Sequence, residues 1–209
     1  MTGDYELRTF SVEIRAEGDP AEEPVIQGTA AVYNSPSELL FGQFIEVIEP
    51  GFFDDVLKND VRALWNHNSD LVLGRTKNGT LNLENTERGL NFTIKPPDTQ
   101  IGRDAVTSIK RRDVDQMSFA FDVKAGGDEW IRNKDGSIKR VLKQGGCANL
   151  YDVSPVTYPA YAKTSAYVRS QLESFTTESQ AAPDGANDIA DAQARNANRK
   201  RKLQLLKIK

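Results

Sequence analysis

Residues 115–123 read DQMSFAFDV, and the alternation within this stretch decides the fold class. On an extended strand successive side chains point to opposite faces, so Met117, Phe119, Phe121 and Val123 share one side and Ser118, Ala120 and Asp122 the other. Four large apolar residues mark the core side. Ser118 therefore points away from that core, beside a small Ala120 that leaves space for an approaching group. The pattern by itself favours an ordinary half-exposed strand with serine on its polar face; a strand presenting a reactive hydroxyl is the alternative.

Working outward, most of the chain from Tyr5 to about Ser174 reads as short strands. FSVEIR (10–15) alternates Phe10, Val12 and Ile14 against polar neighbours, and VIQGTAAVYN (25–34) continues with small and β-branched residues. PGFFDDVLKND (50–60) predicts a short helix. VRALWN (61–66) and LVLGRT (71–76) predict two strands joined by a loop, TLNLEN (80–85) and LNFTIKPP (90–97) a hairpin, and KRVLK (139–143) a strand after a turn at NKDG (133–136). TQIGRDAVTSIKRRD (99–113) places Ile101, Ala105, Val106 and Ile109 on one helical stripe, with basic residues at the end where they suit the macrodipole. No internal repeat is visible.

Composition narrows the class. With 209 residues, 38% hydrophobic and 27% charged, and no apolar run near the ~20 residues needed to cross a bilayer, a soluble protein with no membrane partner is expected, and the N-terminus lacks the pattern of a signal peptide. One cysteine, Cys147, and one histidine, His67, rule out an intrachain disulfide and leave too few ligands for a structural zinc site. No cofactor or metal is expected.

The C-terminal part differs. Residues 176–194 are rich in small and polar residues, with Ile189 as the single large aliphatic side chain, and such a stretch cannot bury enough surface to offset its ordering entropy. Residues 195–209 carry seven Lys or Arg and no acid. The expected division is a folded domain over 1–174 and a disordered linker and basic tail over 175–209. A solvated tail accounts for the charge run without a nucleic-acid partner.

Three residue types needed for acyl transfer remain: a hydroxyl in Ser118, a base that titrates near neutrality in His67, and an acid in Asp152. Asp152 lies in NLYDVSPVTYPAY (149–161), where simple alternation sets Leu150, Asp152, Ser154 and Val156 on one face and Pro155 argues for an edge strand or a bulge. The order His, Ser, Asp matches no familiar hydrolase order, and no GxSxG elbow is present. Asp122, on the face of Ser118, and Asp70, in the loop of His67, are the next candidates for the acid.

Four ordered segments resemble the prohead, or capsid maturation, proteases of tailed bacteriophages, relatives of the herpesvirus assemblins. They are FIEVIEPGFFDDVL (44–57), RALWNHNSDLVLGRT (62–76), DVDQMSFAF (113–121) and NLYDVSPVTYPAY (149–161), and the resemblance as a whole covers about residues 5–165. The resemblance implies an α+β fold, a mostly antiparallel β-barrel with flanking helices. It implies a serine endopeptidase with His67 as general base, Ser118 as nucleophile and Asp152 in the place of the third member, usually glutamate in the family. It further implies cleavage of scaffold or major capsid protein, and of itself, inside the immature capsid in the host cytoplasm, and a homodimer. Two rivals stay open at this point: a thiol protease using Cys147 with the same His67, and a non-catalytic scaffold or structural protein of the virion.

Overall fold

Gln116–Val123 forms a strand, β9, and its alternation is expressed in full: Met117, Phe119 and Phe121 enter the hydrophobic core and Val123 packs against it. The computed structural model describes residues 5–11, 14–18, 23–158 and 168–173. The chain divides into two units, Met1–Ala166 and Tyr167–Lys209; of the second only a short helix over residues 168–173 is described. The expected linker and tail over 175–209 lie outside the described residues.

The first unit is built on strands β1 (Glu6–Ser11), β2 (Ile14–Glu17), β3 (Val25–Val32), β4 (Phe44–Ile48), β5 (Arg62–Trp65), β6 (Asn68–Arg75), β7 (Leu81–Asn85), β8 (Gly89–Ile94), β9, β10 (Asp128–Arg132), β11 (Ile138–Leu142) and β12 (Cys147–Val156). One helix, α1 (Gln100–Lys110), joins them and packs on β2. Thr99 caps α1 by accepting from the Gly102 N–H, and Ala105, Val106 and Ile109 form its buried stripe, as the periodicity requires.

Three sheets result: β1-β9-β12-β5-β6, β10-β11-β4 and β2-β3-β8-β7. Most pairings are antiparallel, but β12 with β5 and β11 with β4 run parallel. The expected closed barrel is not found among the described residues. In the five-stranded sheet β1 and β6 remain the two ends of the order, whereas closure would need its end strands to pair.

Other expectations are corrected locally. FSVEIR is divided between β1 and β2, which belong to different sheets. The segment after Pro50 makes only a 3₁₀ turn at Asp54–Val56, with Phe52 and Phe53 ahead of it both fully buried. Phe53 meets Phe119 edge-on at 5.4 Å and Phe52 meets Phe121 at 5.8 Å, so this turn packs against the core side of β9. β4 was hidden because its inward residues, Phe44, Glu46 and Ile48, include an acid.

Glu46 is part of a buried ionic cluster. Arg8 on β1 holds Glu46 with two nitrogens, at 2.6 and 2.8 Å, and Glu6 at 2.6 Å. Arg140 on β11, fully buried, donates to Glu6, Glu46 and Asp128. Burial alone would lift the Glu46 carboxyl, yet the two guanidinium groups outweigh it and hold it below the usual carboxylate range. The cluster fastens β1, the neighbour of β9, to the three-stranded sheet.

Candidate active site

His67 sits at the connection between β5 and β6, where the expected loop is reduced to two residues, Asn66 and His67. Both have positive φ, 54° and 57°, the hand of a type I′ hairpin turn. Glycine is the usual choice for such a position, and a side chain there costs roughly 1 kcal/mol or more. External bonds hold the turn in place. Asn66 donates its backbone N–H to the Pro155 carbonyl at 3.0 Å, its amide nitrogen donates to Thr157 Oγ1 at 3.1 Å, and its amide oxygen accepts from the Thr157 N–H at 2.8 Å. The turn is thereby clasped to the end of β12.

β12 brings the acid. Its alternation is broken by a bulge: Leu150 pairs with Phe121, but Asp152 pairs with Ala120, leaving Tyr151 as the extra residue. The bulge moves Asp152 to the face opposite Leu150, contrary to simple alternation, and places Leu150, Val153 and Pro155 over the core side of β9. Tyr151 donates its hydroxyl to Asp122 across the strands, and burial together with that carboxylate pushes the phenol up to about 12. Pro155 thus accompanies a bulge, although the strand is central between β9 and β5 and not at an edge.

The other face of β9 now carries Gln116, Ser118 and Ala120 opposite Val156, Ser154 and Asp152. It is not half-exposed: Ser118 and Ser154 are wholly buried and Asp152 is 2% exposed. Asp152 Oδ1 accepts from His67 Nδ1 at 2.6 Å and from Ser154 Oγ at 2.5 Å. An Nδ1–H committed to a carboxylate leaves Nε2 as the basic nitrogen. Nε2 is buried with no protein partner, and so is Ser118 Oγ.

Unpartnered buried polar atoms cost about 1–3 kcal/mol each, so two of them, one basic and one nucleophilic, mark a site kept for a substrate. The structure therefore joins His67 to Asp152 and sets Ser118 on the same face. It leaves the other acids apart: Asp122 is engaged by Tyr151 and Asn149, and Asp70 is exposed. Among the described residues no group of three His, Cys, Asp or Glu side chains could hold a metal.

Cys147 does not take part. It is fully buried at the start of β12, its thiol donates to the Asn149 carbonyl at 3.3 Å, and burial with Asp122 nearby pushes it well above the ordinary thiol range. A thiol so held is a poor source of thiolate. The preceding glycine serves packing, since any side chain at Gly146 would collide with the Gly127 carbonyl.

The sequence assigned no role to Asn66, Ser154 or Thr157. Ser154 was within reach, lying two residues along the strand from Asp152. Asn66 carried a weaker signal, asparagine being the side chain best suited to positive φ after glycine.

The model of the caudovirus prohead serine protease family matches residues 10–178. The chain belongs to that family. No curated protein and no solved structure matches the chain. Membership in a family of prohead serine proteases makes this chain a hydrolase of the serine protease class, associated with capsid maturation.

Proposed function

We propose that this prohead protease is an endopeptidase in which Ser118 is the nucleophile, His67 the general base and Asp152 the acid that orients it. One observation carries the reading: a buried, unpartnered His67 Nε2 is oriented by a 2.6 Å bond from Nδ1 to the buried carboxylate of Asp152, which shares its sheet face with a buried, unpartnered Ser118 hydroxyl. Ser118 Oγ bonds to the peptide carbonyl carbon as its proton passes to His67 Nε2, and the imidazolium is stabilised by Asp152. Collapse of the tetrahedral intermediate breaks the C–N bond, with His67 returning the proton to the amine. Water then releases the acyl group by the same route. A non-catalytic scaffold protein would bear the cost of the two orphaned groups without return.

The substrates in this reading are scaffold protein or the scaffold part of the major capsid protein, and the chain itself, inside the assembling prohead in the host cytoplasm, with the protease as a homodimer. Residues 175–209 would serve delivery. The test is a fluorophosphonate probe followed by peptide mapping. Labelling at Ser118 that disappears in His67→Ala is expected; labelling at Cys147, or none, overturns the assignment.

A further inference from the structure

We propose that Ser154 is a positioning residue of this site, fixing the Asp152 carboxylate that in turn orients His67. The inference rests on the reading just given. Two buried serines face each other across β9 and β12, since Ser154 is the register partner of Ser118. Their hydroxyls are in different states. Ser118 Oγ has no protein partner, whereas Ser154 Oγ donates to Asp152 Oδ1 at 2.5 Å.

Ser154 has one hydroxyl proton, and it is directed at the acid and not at the base. Its oxygen is therefore poorly placed to be activated by His67, which distinguishes it from Ser118. The oxygen it holds is the same one that receives His67 Nδ1. A carboxylate free to rotate could offer His67 either oxygen from a range of angles, and each angle would aim Nε2 differently. Two donors converging on Oδ1 from separate elements, β12 and the β5–β6 turn, leave one orientation. Bonds to an ionised carboxylate are the strong kind, and at Asp152, only 2% exposed, little water competes. The neighbouring charges are otherwise occupied: Asp122 is bonded to Tyr151, and Arg62, the register partner of Asp152 on β5, pairs with Asp60.

The full chain is treated with a fluorophosphonate probe, whose P–F bond breaks as the Ser118 Oγ–P bond forms, fluoride leaving and the proton passing to His67. Ser154→Ala is expected to lower the saturating labelling rate about tenfold while the half-saturating probe concentration stays within about twofold, as for loss of a group that acts on the chemical step. His67 is the single histidine, so its ring proton on Nδ1 can be followed by NMR without assignment. That proton is expected to exchange with solvent faster in Ser154→Ala. A folded Ser154→Ala with parent labelling rate and parent exchange overturns the proposal, while labelling at Ser118 keeps the nucleophile assignment standing. Label found on Ser154 overturns both. Should Ser154→Ala not fold, Ser154→Cys, with its weaker donor, carries the same two measurements: a tenfold loss supports the proposal, and parent values overturn it.

Discussion

His67 and Asp152, 85 residues apart in the chain, meet through a 2.6 Å hydrogen bond between Nδ1 and Oδ1. Three features of the five-stranded sheet create that meeting: the parallel pairing of β12 with β5, the two-residue turn that ends β5, and the bulge at Tyr151 that turns Asp152 toward Ser118.

Asp152→Asn tests the bond directly. An amide can present its NH₂ to Nδ1, which favours the tautomer with the proton on Nε2, and it stabilises an imidazolium poorly. A fall of about 10³–10⁴ in the labelling rate of Ser118 is expected, without complete loss, because other groups still stabilise the oxyanion. A change below about threefold would move the orienting role to another group.

Asn66→Gly separates the clasp from the turn. Glycine adopts the positive φ at position 66 without strain, and the backbone bond to Pro155 survives, but both amide bonds to Thr157 are lost. The fold is expected to persist with a stability change within about 1 kcal/mol, while Ser118 labelling slows about tenfold because His67 is less firmly held. Asn66→Ala should melt lower than Asn66→Gly by the added left-handed strain. Equal labelling rates in Asn66→Gly and the parent protein would show that the clasp does not position the base.

The sequence disclosed the parts of the fold with strict periodicity. β9 and α1 were legible because one face of each is uniformly apolar, and the family resemblance directed attention to His67, Ser118 and Asp152. What escaped is where a polar residue stands inside or an extra residue breaks the count. Glu46 concealed β4 by occupying an inward position whose partners, Arg8 and Arg140, are distant in sequence. Tyr151 put Leu150 and Asp152, expected on one face, on opposite faces, since a one-residue slip exchanges every subsequent side chain between faces. Ser154 had no visible role until its acceptor was placed beside it.

Cys147→Ala is expected to leave Ser118 labelling unchanged within about twofold and to cost about 1 kcal/mol of stability, as an ordinary loss of a buried group. The thiol is buried, bonded to Asn149 and raised far above the range of reactive cysteines. A large loss of labelling in a folded variant would restore the thiol reading.

The buried ionic cluster gives the fold a dependence on pH whose sign follows from Glu46. Its folded carboxyl is depressed by Arg8 and Arg140 against the effect of burial, so its contribution is complete above the unfolded carboxylate value, about 4.3, and is lost as pH falls through the depressed folded value. Urea midpoints are expected to be flat near neutrality and to fall below about pH 4. Arg140→Met should cost about 3–5 kcal/mol at pH 7, because Glu6, Glu46 and Asp128 lose a shared cation while remaining buried. Without Arg140 the Glu46 carboxyl is held down by Arg8 alone and rises relative to the parent protein, so protonation relieves part of the cost. The difference between the parent protein and Arg140→Met should therefore shrink from pH 7 to pH 4. A difference that is constant across that range would mean that the cluster contributes packing and not charge.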